Sequence, residues 1–383
     1  MALHFDEREY RDRMNRLMSV MADQKLDAML LFAQESMYWL TGYDTFGFCF
    51  FQCMVVTNKG EVALITRSAD LRQARHTSTI ENIVIWEDRA DARPTQDLKD
   101  LLTNMDLLGS KMGVEYDTAG LNGRRAKELD EDLMSFAELK DASLLITHLR
   151  AIKSEAEIAY VKEAAMLGDH ALVAARPLIK AGADEGAILA AMQGEIFKGG
   201  GDYPGNEFII GSGDDALLCR YKSGRRKLDA QDQLTLEWAG AYRRYHAALM
   251  RTVVIGKPTP RHKELFAVAA DALSAVEGAM VAGNTFGDVF DAHAKVMDGA
   301  GLARHRLNAC GYSLGAHFTP CWMDMPMFYN GTEAPIEPNM TLFAHMIIMD
   351  SDTNTAMTLG RTYVTTLASP EPLSSLPLDL IVA

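Results

Sequence analysis

The stretch 207–256, EFIIGSGDDALLCRYKSGRRKLDAQDQLTLEWAGAYRRYHAALMRTVVIG, constrains the fold more than any other. Leu234, Thr235 and Leu236 form one β-prone run, Thr252, Val253, Val254 and Ile255 form another, and Gly256-Lys257-Pro258 closes it. The spacing predicts two strands joined across a polar turn at 240–244. Glu237 ends the first apolar run, and His246 follows nine residues later inside Arg-Arg-Tyr-His. An active site is expected on this hairpin.

A chain of 383 residues exceeds one compact core, so two domains are expected, and a hydrophobic content of 48% fills both. The formal charge of −14 argues against a nucleic-acid groove or an anionic-membrane surface, either of which needs clustered Lys and Arg. The dense basic run KSGRRK at 222–227 reads as a solvated turn. Five cysteines, Cys49, Cys53, Cys219, Cys310 and Cys321, form no CxxC and leave one unpaired in any disulfide scheme. With no leader-like N-terminus and no apolar run of membrane-spanning length, the expectation is a soluble, cytoplasmic protein.

Along the chain, Asp6 caps a helix with Tyr10, Met14, Leu17, Met18 and Met21 at helical spacing. A strand at 28–32 and an aromatic-rich segment, SMYWLTGYDTFGFCFFQCMVV, lead to a hairpin turn at Asn58-Lys59-Gly60. Helices and strands then alternate to about 149, the pattern of a three-layer α/β domain. Ser154 with Glu157 forms a capping box, which places the boundary between domains 1–149 and 150–383. The second domain reads as helix pair, hairpin, helix pair, hairpin, the signature of an internal duplication.

That order, with LRAIKSEAEIAYVKEAA, IIGSGDDALLCRY, GAYRRYHAALMRT, CGYSLG, EPNMTLFAHM and LGRTYVTT, resembles the pita-bread superfamily of creatinase, aminopeptidase P and prolidase. The resemblance implies a creatinase-type α/β domain followed by an α+β pita-bread catalytic domain. Metallopeptidases of this family hold two metal ions with five side chains. Those positions fall here on Glu237, Ala248, Tyr312, His345 and Gly360, so one of the expected carboxylates remains and no metal or other cofactor is expected. The catalytic His of creatinase falls on Arg220 and its catalytic-site glutamates on Met250 and His345. Its cross-subunit contacts fall on Phe48 and Phe50, which implies a homodimer whose N-terminal domain reaches a neighbouring site. In motif the chain is most similar to the ectoine hydrolase branch. The resemblance therefore implies a metal-independent hydrolase of a small non-peptide C–N bond, with a zwitterionic or carboxylate-bearing substrate; the alternatives are an Xaa-Pro dipeptidase-like metallopeptidase or a lyase on the same fold, or a non-catalytic ligand-binding protein.

Each candidate residue has two readings. Glu237 acts as base or nucleophile, or pairs with a nearby Arg. His246 shuttles a proton, or is a satisfied strand histidine. Arg220 and Arg251 fork a substrate carboxylate, or neutralise Glu237. Tyr312 donates to an oxyanion, or is a core tyrosine. His345 is a proton-transfer group, or packs in its apolar strand. His317 and Trp322 roof the cleft, with Trp322 and Phe48 forming an aromatic wall, or they belong to the core.

Overall fold

The computed structural model describes residues 3–220 and 224–383, so Lys222 and Ser223 of the basic run lie outside the described residues. The chain divides into two units, Met1–Arg150 and Ala151–Ala383.

The first unit comprises α1 (Glu7–Asp23), β1 (Ala28–Leu31), α2 (Gln34–Thr41), β2 (Cys53–Thr57), β3 (Val62–Arg67), α3 (Leu71–Thr77), β4 (Asn82–Trp86), α4 (Pro94–Asn104), β5 (Lys111–Val114), α5 (Gly123–Leu133) and β6 (Glu138–Asp141), and it ends in α6 (Leu145–Ala151). Asp6 accepts from Glu9 N and starts α1, as its sequence predicts. The six strands run in the order β4-β3-β2-β1-β5-β6. Both faces of this sheet are covered, because alternate residues of β1 enter different cores. Ala28 and Leu30 pack with α4 and α5 residues such as Leu98 and Leu129, whereas Met29 and Leu31 pack with Leu17 and Met21 of α1. The aromatic-rich segment contains α2, which sequence periodicity does not reveal: seven of its eight residues are buried, so it has no polar face to mark the helix. Gly42 ends it in the left-handed region at φ 84°.

The second unit comprises α7 (Glu155–Ala175), α8 (Glu185–Lys198), β7 (Ile209–Ser212), β8 (Asp232–Tyr242), β9 (Tyr245–Ile255), α9 (Pro260–Ala279), α10 (Phe286–Gly299), β10 (Ala309–Ser313), β11 (Asp324–Tyr329), β12 (Thr341–Asp350), β13 (Thr355–Val364), β14 (Glu371–Pro372) and β15 (Ile381–Val382). Ser154 and Glu157 form the expected capping box. The main strand order is β11-β10-β12-β13-β9-β8-β7, with β14 beside β13 and β15 beside β9. Residues of α7 and α8 pack with β8 and β9, and residues of α9 and α10 pack with β12 and β13, so each helix pair backs one long hairpin.

The opening hairpin is tighter than its sequence suggests. β8 continues to Tyr242, and Arg243 and Arg244 alone make the turn, both in the left-handed region at φ 47° and 68°. Gly240 is not a turn residue. A Cβ there would stand 1.8 Å from Ala164 O, so glycine lets α7 approach the strand. The segment after Gly315 contains β11, whose burial alternates along DMPMFY. Among the described residues, no helix is long and apolar enough to cross a membrane.

Candidate active site

Directly opposed residues form a row across the second sheet: Ile209 on β7, Glu237 on β8, Met250 on β9, Gly360 on β13 and His345 on β12. Opposed residues of an antiparallel ladder share a face. The neighbouring Trp238 donates its indole N–H to Gly168 O of α7 at 2.8 Å, so the helix covers the opposite face and Glu237 points away from it. On the Glu237 face lies a cavity of about 100 Å³, lined by Arg220, Glu237, Tyr312 and His345 together with Cys219 and several apolar side chains.

Three of these groups are set by burial. The Tyr312 hydroxyl donates to Glu237 Oε1 at 3.4 Å and accepts from the Trp322 indole N–H at 2.9 Å. Burial pushes the Glu237 carboxyl up to about 7, against the pull of the Arg220 charge and the Tyr312 hydrogen bond. Burial and the Glu237 charge hold the Tyr312 phenol protonated well above its usual range. Burial, followed by the repulsion of His293 and Arg220, pushes His345 down to about 3, so its imidazole is neutral. Its Nδ1 is buried without a hydrogen-bond partner. Its ring stands 5.6 Å from Tyr312 and 5.4 Å from Phe343.

The other predicted residues lie elsewhere. Arg251 opposes Leu236 and Leu359, one residue out of the Glu237 row, and therefore faces the helices. Its guanidinium donates to Met250 O at 2.8 Å and Gly360 O at 2.6 Å, and burial pushes it down to about 10. It reaches neither the cavity nor Glu237. His246 shares the Glu237 face but opposes Ala241, about 13 Å further along the strand. Its Nε2 accepts from Gly205 N at 2.8 Å and its Nδ1 lies 3.4 Å from Gly315 O, which fixes a neutral ring as a loop anchor. His317 pairs with Asp324 at 3.1 Å. Trp322 is buried behind Tyr312 rather than on the cavity wall. Phe48 and Phe50 belong to the first unit, where the Arg67 guanidinium lies 4.0 Å above the Phe50 ring. Sequence reasoning missed Cys219 and Met327 as lining residues. The run Met325-Pro326-Met327-Phe328 is apolar without alternation, so its sequence does not single out Met327.

The residues at the family's metal positions do not fit a pair of cations. Two divalent ions need several anionic oxygen donors, and the five positions supply one carboxylate. Ala248 has no donor, and its backbone N–H and C=O are both bridged by the Thr362 hydroxyl at 2.9 Å. A Cβ at Gly360 would stand 3.0 Å from the Phe343 ring, so an aromatic fills the space that a carboxylate there would need. Tyr312 is kept neutral, and among the described residues the cavity lining adds no second carboxylate to Glu237.

Comparison with known proteins gives the family. A model described as metallopeptidase family M24 matches residues 159–366, more than half of the chain, and the creatinase/prolidase N-terminal domain matches residues 13–152. The chain belongs to metallopeptidase family M24. This M24 chain is 28% identical to an uncharacterized hydrolase/peptidase of Sinorhizobium fredii over 99% of both chains. It is also 28% identical to an ectoine hydrolase of Halomonas elongata over 89% of each. A prolidase structure from Thermococcus sibiricus shares the fold, with TM-score 0.88 and 17% identity over 98% of this chain and 99% of that one. The architecture is thus the creatinase-type domain followed by the pita-bread M24 domain, and hydrolysis is the reaction class of these M24 relatives.

Proposed function

We propose that this protein is a metal-independent hydrolase of a small non-peptide C–N bond, in a cyclic amidine, amide or guanidino compound that carries a carboxylate. The observation that carries this reading is Glu237, a carboxylate poised near 7 on the wall of a cavity whose other metal positions hold Ala, Tyr, His and Gly. A volume of about 100 Å³ suits a small reacting group, being below the roughly 150 Å³ of a cavity that takes benzene.

In this reading, ionised Glu237 takes a proton from water as the water oxygen bonds to the amidine or amide carbon. Tyr312 donates to the heteroatom that gains the negative charge. The C–N bond then breaks, and the proton held by Glu237 passes to the leaving nitrogen. Alternatively Glu237 attacks the carbon directly, the C–N bond breaks as the leaving nitrogen takes a proton from water, and the hydroxide so formed hydrolyses the acyl-enzyme. His345, being neutral, serves as a hydrogen-bond partner, and Arg220 at the exposed side of the cavity anchors the carboxylate. The chain acts as a homodimer in this reading, with Phe48 and Phe50 serving a neighbouring subunit.

The metallopeptidase family and the prolidase-like fold favour a second reading, a metal-dependent Xaa-Pro dipeptidase. Incubation with ectoine and with Xaa-Pro dipeptides, each with chelator and with added manganese, cobalt or zinc, separates the two. Ring opening that survives chelation and is lost in Glu237→Gln supports the first reading. Dipeptide cleavage only after metal addition, or full activity of Glu237→Gln, overturns it. Ligands that raise Tm without being consumed would instead mark a binding protein.

A further inference from the structure

We infer that Trp322 is a positioning residue: its indole N–H occupies the Tyr312 oxygen and thereby commits the phenolic proton to Glu237. An indole N–H only donates, whereas a phenol has one proton to give and a lone-pair oxygen to receive with. At 2.9 Å the indole fills the receiving role, and Glu237 Oε1 at 3.4 Å is the acceptor left for the phenolic proton. Were Glu237 to carry a proton and donate it to Tyr312, the phenolic O–H would be left buried without an acceptor. The indole therefore favours the ionised carboxylate and, by polarising the phenol, strengthens Tyr312 as a donor.

The indole is held in place from outside the cavity. Trp322 N donates to Asn206 Oδ1 at 3.2 Å, and the adjoining Gly205 donates to His246 Nε2 at 2.8 Å. A Cβ at Gly205 would stand 2.9 Å from the Cys321 carbonyl, so the loop carrying Asn206 lies flush against the Trp322 backbone. The His246 ring lies 6.3 Å from the Trp322 ring. His246 thus contributes as a support of the indole, three residues removed from Glu237 in this series of hydrogen bonds and packing contacts.

This inference rests on Glu237 being the reacting carboxylate, but its test needs no substrate. The Glu237 carboxyl band, identified by its loss in Glu237→Gln, is titrated by difference infrared spectroscopy in wild type, Trp322→Phe, Tyr312→Phe and the double variant. Trp322→Phe should raise the Glu237 midpoint by about half a unit or more, the effect of one hydrogen bond, and should do nothing further once Tyr312 is Phe. If Trp322→Phe does not fold, the wild type still decides. The chain has four tryptophans, and one of the four indole ¹⁵N–¹H signals should follow the Glu237 midpoint and cease to do so in Tyr312→Phe. An equal shift from Trp322→Phe with and without Tyr312, or an indole spectrum in which no signal follows Glu237, overturns the assignment. Failure to find a C–N substrate would remove the proposed function and leave this titration unchanged.

Discussion

His345 on β12 opposes Gly360 on β13 across the ladder, and the Phe343 ring closes over the glycine. A Cβ at position 360 would meet Ala344 O at 2.9 Å, the Phe343 ring at 3.0 Å and His345 Cα at 3.1 Å. Two of these neighbours are backbone and cannot give way. Gly360→Ala is therefore expected to cost about 1–3 kcal/mol in overpacking, more than the roughly 0.5–1 kcal/mol that alanine returns in backbone entropy. Gly360→Glu should cost more and should still not recruit metal. Urea denaturation and elemental analysis of the purified variants check both outcomes.

Glu237 needs to be ionised to act as base. Because burial places its titration at about 7, kcat/KM should climb as pH rises through about 7 and level off above it. Glu237→Gln should lower kcat by roughly 100- to 10,000-fold, the usual contribution of a general base, and should abolish that rise. A pH profile that is flat between 6 and 8 would contradict the assignment.

The same shift has a stability consequence of fixed sign. The native carboxyl titrates at about 7, whereas an unfolded glutamate titrates at about 4.3. Between those values the native state holds a proton that the unfolded state has lost, so stability falls as pH rises through this window. Above it, burial of the charge costs up to about 4 kcal/mol. Glu237→Gln should therefore gain stability over wild type from about pH 5 to pH 8 and lose that advantage below about pH 4. Equilibrium unfolding across this range reads the difference directly.

Buried histidines carry the opposite sign. His345 titrates at about 3 in the folded chain, against about 6.5 unfolded. As pH falls below 6.5 the unfolded state gains the proton first, and stability is lost until about pH 3. At pH 5 this amounts to about 2 kcal/mol for His345 alone. His345→Gln should flatten the acid limb of the stability curve by that amount, and a limb unchanged in slope would show that His345 is not held neutral by the fold.

Much of the fold is written in local signals, because Asp6 and Ser154 cap their helices within three residues of themselves. The site is less local. Glu237, Tyr312 and His345 reach one cavity as the family positions imply, but Arg251 does not, since one residue of register moves a side chain from the Met250 face to the helix face. His246 lies on the right face and at the wrong height, a fact set by a turn of only Arg243 and Arg244 where glycine or asparagine would usually signal it. The Phe343 ring over Gly360 crosses from one strand of a hairpin to the next, and the Trp322 hydrogen bond to Tyr312 crosses an irregular loop, so no spacing rule contains either contact.

A second buried carboxylate offers a test confined to the first unit. Glu115, just after β5, accepts from Phe32 N at 2.9 Å, Ala33 N at 2.8 Å and Ser36 Oγ at 2.5 Å, and so satisfies donors at the start of α2. Burial pushes it up to about 7, against these hydrogen bonds and the Arg150 charge. Glu115→Ala leaves buried N–H groups without an acceptor and should cost about 3 kcal/mol. Glu115→Gln keeps one acceptor oxygen and should cost less, while removing the loss of stability that wild type suffers between about pH 4.5 and 7. Hydrogen exchange at the Phe32 and Ala33 amides localises the effect. Protection there should collapse in Glu115→Ala, persist in Glu115→Gln, and stay unchanged at Glu237 and its neighbours in the second unit.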